Sequence, residues 1–207
     1  MIEIKDYKEL KNFLNSVIKS SKVILFNFKS FQNVDKVIEE ILKILVEELK
    51  MSGIYFSLRN PANHTIDLLK RSKINVEKIL FVDTVSKYFY SPAPGIALAY
   101  TEKITTSKEG NIIFLKSPSN LAEIAIVLYE ILASVKEPEK TFIIVDSLDI
   151  ISLHSEREKF LKFIHFISSK FKLFRVFGLY FQLTTREEEL IREISVFVDE
   201  IVEINLK

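Results

Sequence analysis

Two carboxylates stand out because each ends a short apolar run. Asp83 closes Ile79-Leu80-Phe81-Val82-Asp83, and Asp146 closes Thr141-Phe142-Ile143-Ile144-Val145-Asp146. An aspartate at the end of a buried strand sets a negative charge at the rim of a sheet, where it can hold a metal or accept hydrogen bonds from nearby backbone. The second use is the expectation for Asp146. Ser147 and Asp149 follow it closely. Lys29, Ser30, Asn33 and Lys36 lie just after the run Val23–Phe28, at the mouth of the next helical stretch. A helix N-terminus attracts anions there, although exposed lysines need no ligand to be at ease. His64, His154 and His165 are far apart and lack paired metal-ligand spacing, so no metal site is expected. His165 reads as a helix-packing residue and His154 as a loop residue. There is no cysteine, which removes disulfides, thiolate metal sites and a thiol nucleophile.

Those residues need elements to carry them. Asp6 to Lys19 has Leu10, Phe13, Leu14, Val17 and Ile18 at helical spacing and reads as an amphipathic leading helix, so residues 1–20 are assigned to a helix docked on a domain of residues 21–207. Val23–Phe28, Ile54–Leu58, Ile79–Asp83, Ile112–Leu115 and Thr141–Val145 are unbroken apolar runs, the pattern of strands covered on both faces. Phe174–Leu183, broken at Gly178, and Phe197–Ile204 complete the strand set. Helices are expected from Asn33 or Asp35 to about Lys50, closed by Gly53, and from Pro61 to Lys73. Further helices are expected after a Ser117-Pro118 start and after capping boxes at Ser155/Glu158 and Thr185/Glu188. Regular alternation of apolar strands and helices predicts an α/β fold, a mainly parallel sheet with helices on both faces, in a single domain. In such a sheet ligands lie at the carboxyl ends of the strands, which selects residues 27–33, 59–63, 83–86, 146–155 and 182–186.

The connection from Thr84 to Asn111 interrupts this rhythm. It holds Pro92, Pro94, Gly95 and Gly110 together with Tyr88, Phe89, Tyr90 and Tyr100. Aromatic side chains in a long loop suit a protein interface, and they equally suit packing over the sheet edge. Charge gives little further direction. Lys+Arg of 29 against Asp+Glu of 28 sets up no global field toward nucleic acid or an acidic membrane. The basic groups Lys70, Arg71, Lys73 and Lys170, Lys172, Arg175 come without an aromatic platform, so nucleic-acid binding is not expected. Charged residues interrupt every apolar run before membrane-spanning length, and the chain reads as cytoplasmic.

Four segments, in order, resemble the KaiC-like branch of the RecA superfamily of ATPases. They are Ile54-Tyr55-Phe56-Ser57-Leu58, Ile79-Leu80-Phe81-Val82-Asp83-Thr84, Ser117-Pro118-Ser119-Asn120-Leu121 and Phe142-Ile143-Ile144-Val145-Asp146-Ser147-Leu148, the last followed by a helix with Phe160-Leu161-Lys162-Phe163-Ile164-His165-Phe166. The resemblance covers about residues 20–204, and it makes Asp146 the Walker B aspartate that holds magnesium through water, with Ser147 its usual neighbour. Two departures accompany it. The phosphate loop should be a glycine-rich turn ending in Lys and Ser or Thr, whereas this chain reads Asn27-Phe28-Lys29-Ser30-Phe31-Gln32-Asn33-Val34-Asp35-Lys36. Glycine lets backbone N–H groups close on phosphate, and phenylalanine fills that space. A catalytic glutamate pair should follow the second strand, and Arg59 and Asn60 stand there instead. The resemblance with these departures implies a pseudo-ATPase that works by binding protein, a paralogue or a signalling partner, with self-association possible and no cofactor expected. One alternative is a nucleotide-binding or slowly hydrolysing ATPase with ATP and magnesium in a phosphate site rebuilt from Lys29, Ser30, Asn33, Lys36 and Asp146. Another is a nucleic-acid accessory protein of the recombinase type.

Overall fold

The computed structural model describes residues 2–18, 22–29, 34–87, 105–107, 110–183 and 188–206. Its centre is a set of strands with no exposed face. β2 (Val23–Phe28), β7 (Thr141–Asp146) and β8 (Phe177–Gln182) are buried at every position, as their continuous apolar runs require. Around them are β1 (Ile2–Ile4), β3 (Ser52–Ser57), β4 (Ile79–Asp83), β5 (Thr105–Ser107), β6 (Gly110–Phe114) and β9 (Glu200–Ile204). The nine strands form one sheet in the order β1-β9-β2-β8-β7-β3-β4-β6-β5, parallel throughout except for the β5–β6 hairpin.

Among the described residues seven α-helices cover the two faces. α1 (Tyr7–Val17), α2 (Val34–Lys43) and α3 (Ala62–Arg71) pack over Phe26, Tyr55, Phe81, Ile144 and Leu179. On the other face α4 (Leu121–Ser134), α5 (Leu148–Leu153), α6 (Arg157–Phe174) and α7 (Glu188–Ile194) pack over Leu25, Phe56, Val82, Val145 and Tyr180. Neighbouring residues of one strand thus serve opposite cores, the period of two that a pleated strand imposes.

Several local expectations are corrected. Gly53 does not close α2. That helix runs into a π turn, Ile44–Glu48, and leaves through Lys50 at φ 58°, while Gly53 lies inside β3 because a Cβ there would stand 2.0 Å from the ring of Phe142. Gly178 does not break β8, which pairs continuously with β2 and β7. Its missing side chain makes room for Phe171, 2.5 Å from where a Cβ would be, and α6 runs on to Phe174. α4 is capped by Asn120, whose side chain accepts from the Glu123 N–H, and not by Ser117. The capping box at Ser155 does not form. Glu156 occupies the cap without a side-chain bond, and Ser155 Oγ finds no hydrogen-bond partner among the described residues. The N-terminal segment contributes β1 as well as the expected helix, and α1 begins at the cap Asp6, which accepts from Glu9 N–H at 2.8 Å. In the long connection, β5 and the start of β6 form a hairpin at the sheet edge. Thr185 lies outside the described residues.

Candidate functional site

The carboxyl ends of the central strands carry a row of buried polar side chains. Register sets Asn27 of β2 beside Gln182 of β8, and sets Ser57 of β3 between Asp146 of β7 and Asp83 of β4. All five are 2% exposed or less. Side chains of such polarity cost free energy in a dry layer unless they are paired, so their partners describe what the site is built to hold.

Asp83 is fully occupied. Its carboxylate accepts from the N–H of Ala62, Val85 and Ser86 and from the Ser86 hydroxyl, each at 2.8 Å. It caps the start of α3 and fixes the turn after β4, the second of the two uses open to a strand-end aspartate, and it is buried rather than solvated. Asp149 is likewise spent on Gln182 Nε2 at 2.7 Å and Leu183 N–H at 2.6 Å. Ser147 takes a left-handed conformation, φ 77° and ψ 86°, in the turn from β7 into α5.

Asp146 has different company. Tyr55 donates its hydroxyl to Oδ2 at 2.8 Å, and the Arg59 Nε lies 3.7 Å from Oδ1. The expected backbone partner is replaced by two side chains from β3 and the turn after it. Arg59 also binds Asp35 of α2 through its terminal nitrogen, and His64 of α3 stands 3.6 Å from the same carboxylate. A chain of charge thus runs from the buried end of β7 through Arg59 to the first turn of α2. Burial raises the pKa of Asp146 to about 6, against the opposing pull of Arg59 and the Tyr55 hydrogen bond, so at neutral pH it is a carboxylate with a guanidinium beside it. Desolvation works upward on Asp35 too, but hydrogen bonding and charge from Arg59 outweigh it and hold that acid below its ordinary range. Tyr55 is pushed well above ordinary phenols by burial and by the negative Asp146, which keeps it a donor.

The two lysines of the alternative anion site are each engaged elsewhere. Lys29 pairs with Glu203 of β9 at 2.7 Å, and Lys36 sits over the Tyr7 ring of α1, 5.6 Å from its centroid. Ser30, Asn33, Tyr88, Phe89, Tyr90 and Tyr100 lie outside the described residues. His165 stacks on Phe197 with ring centroids 5.1 Å apart, and His154 caps the end of α5. The two basic groups fall on helices covering opposite faces of the sheet, α3 and the end of α6, and so do not form one stripe. Among the described residues no three His, Cys, Asp or Glu side chains are grouped to hold a metal ion. No helix among them is long and apolar enough to cross a membrane. Sequence reasoning missed Tyr55 and Asp35 as members of the site. The tyrosine hydroxyl within a buried strand was the available signal, since a buried hydroxyl must find a partner.

No protein-family model matches this chain and no curated protein matches it. Solved structures do. The KaiC-like protein PH0186 of the hyperthermophilic archaeon Pyrococcus horikoshii superimposes with TM-score 0.58 at 11% identity, over 88% of this chain and 71% of that one. The flagellar accessory protein FlaH of Methanocaldococcus jannaschii gives TM-score 0.50 at 12% identity, over 94% and 76%. The fold is RecA-like. An uncharacterised Pyrococcus horikoshii protein, PH0321, solved in complex with an unknown peptide, gives TM-score 0.63 at 13% identity over 97% and 84%. On the RecA-like sheet the Asp146 position is the strand end that the resemblance assigns to the metal-holding acid. The residues around it fit such an ion poorly. Oδ2 is taken by a hydroxyl donor, and the guanidinium beside Oδ1 would repel a divalent cation brought to the same oxygen.

Proposed function

We propose that this RecA-like chain is a pseudo-ATPase that acts by binding another protein. The observation that carries the reading is the Arg59 guanidinium beside Asp146, reaching on to Asp35. A fixed internal cation 3.7 Å from Oδ1 offsets the charge of the acid where a magnesium ion would otherwise do so, although the two atoms make no hydrogen bond. Arg59 also stands where the resemblance calls for a water-activating glutamate, and a guanidinium cannot accept a proton in the neutral range. The absence of glycine between Asn27 and Lys36 supports the same conclusion, as do the commitments of Lys29 to Glu203 and Lys36 to Tyr7. The peptide bound to PH0321 supports protein binding as a use of this fold. The segment 88–104, with Tyr88, Phe89, Tyr90 and Tyr100, supplies the contact surface in this reading.

Thermal unfolding with ATP, ADP or GTP, each with and without magnesium, tests the nucleotide half of the proposal. No nucleotide is expected to move the midpoint. A ligand at a hundredfold excess over its dissociation constant would stabilise the native state by about 2.7 kcal/mol, so a magnesium-dependent rise of that order would sink the reading. Removal of residues 88–104 tests the other half and should abolish partner capture while leaving the melting transition in place.

One observation favours a second reading, a small ligand at the strand ends. Asn27 Oδ1, Ser57 Oγ and Gln182 Oε1 are buried and find no hydrogen-bond partner among the described residues. Buried polar atoms left so are places where a ligand atom can gain a bond without displacing one. A stabilising shift with a nucleotide in the absence of magnesium would favour this reading over the first.

A further inference from the structure

The buried polar row at the strand ends divides between the two faces of the sheet. Asn27 and Gln182 are in register two residues beyond Leu25 and Tyr180, so they share the face covered by α4–α7. Ser57 and Asp146 are in register two residues beyond Tyr55 and Ile144 and share the opposite face, with Arg59. The two amide side chains are therefore a pair of their own, on neighbouring strands about 4.8 Å apart, and the Asp146–Arg59 group lies across the sheet from them. Asp149 of α5 meets this pair through Gln182.

Their orientation decides what they can hold. Gln182 Nε2 donates to Asp149 Oδ1 at 2.7 Å, and a carboxylate only accepts, so the amide cannot be reversed and Oε1 is turned away from that bond. Gln182 Oε1 and Asn27 Oδ1 are then two buried carbonyl oxygens without a hydrogen-bond partner among the described residues, on residues 1% and 2% exposed. Glu203 of β9 is in register with Asn27 on its other side, and its carboxylate is paired with Lys29. The row Glu203, Asn27, Gln182, Asp149 thus presents oxygen, and what the two amides lack is a donor. Phosphate at neutral pH brings acceptor oxygens and negative charge, and it would leave both carbonyls unmet. A divalent ion draws its site from carboxylates, and no three acids or histidines are grouped to hold one among the described residues. Neutral carbonyl oxygens side by side instead replace the hydration of a singly charged cation, as backbone carbonyls do in ion-selective pores, or accept N–H bonds from an ammonium.

We propose that Asn27 and Gln182 form a site for a small monovalent cationic group, an ammonium or an alkali ion. The inference rests on the small-ligand reading of the strand ends and narrows it to a ligand that donates. Thermal unfolding of the full chain in the chlorides of ammonium, methylammonium, potassium and sodium, each compared with choline chloride at the same ionic strength, tests it. Choline offers no N–H and is too large to sit between two adjacent carbonyls. A bound ion should raise the midpoint saturably over the choline value, by about 3–6 °C at a tenfold excess over its Kd. A rise confined to ammonium and methylammonium supports the site with an amine as its ligand, and a rise shared with potassium or sodium supports it with an inorganic ion. Asn27→Leu should abolish the rise. Asn27→Asp, which sets a negative charge in nearly the same shape, should lower the Kd of the ion about tenfold or more. Equal midpoints in all five salts overturn the proposal and leave the carbonyls to buried water. A rise that persists unchanged in Asn27→Leu overturns it as well. A nucleotide that stabilises without magnesium while these cations do not keeps the small-ligand reading and overturns the donor class, whereas failure of both overturns the two together.

Discussion

Arg59 changes what its neighbours can be. Asp146 is 1% exposed, and burial raises its pKa from an ordinary 3.8 to about 6. Between those values the native state keeps a proton that the unfolded chain has already released. Stability from this group is therefore greatest below about pH 4 and declines as the pH rises to about 6, on the order of 2–3 kcal/mol in all. Asp35 works in the opposite sense but in a lower window: its depressed pKa contributes stability that is lost only as the pH falls below its ordinary 3.8. Urea unfolding of the wild type and Asp146→Asn from pH 4 to pH 7 isolates the term. The wild type should lose stability relative to the variant across that range, and parallel profiles would refute the assignment. The acid was legible in the sequence because it ends an apolar run, but its partners were not. Tyr55 is 91 positions away and Asp35 lies on a helix face that periodicity marks only as polar. Arg59 was visible as the residue in the wrong place for catalysis, and only the packing of β3 against β7 revealed it as a counter-ion.

At the level of elements, the strands were the readable part because each buried strand must be apolar on both faces, a pattern with few other causes. Helix starts were less so. Ser117 and Ser155 both have cap chemistry, yet Asn120 and Glu156 hold the positions, since serine is common enough to mimic a cap a few residues away. β1 was missed because three residues, two of them exposed, carry no period. Glycines misled in a different way. Gly53 and Gly178 were read as punctuation, whereas each lies inside a strand under an aromatic ring. Gly53→Ala should consequently destabilise the protein by about 1–3 kcal/mol, because Phe142 is fully buried and its ring cannot clear the new methyl without disturbing the core. Thermal unfolding measures this, and an unchanged midpoint would mean that the ring has room to turn.

On the scale of the whole molecule, the strand order places the first buried strand in the interior of the sheet with neighbours that come last. β2 pairs with β8 (Val23 with Gly178) and β9 (Ile24 with Glu200), both from the last fifth of the chain, while β3, next in sequence, lies beyond β8 and β7. During synthesis β2 emerges with both edges bare. It must wait, as an apolar six-residue strand, until more than four-fifths of the chain has left the ribosome. The closing of such long loops before any reward is gained makes folding slow and leaves the early strand open to wrong pairing. A nascent chain halted before Phe177 therefore has β3, β4 and β7 able to join side by side, and β2 with nowhere to go.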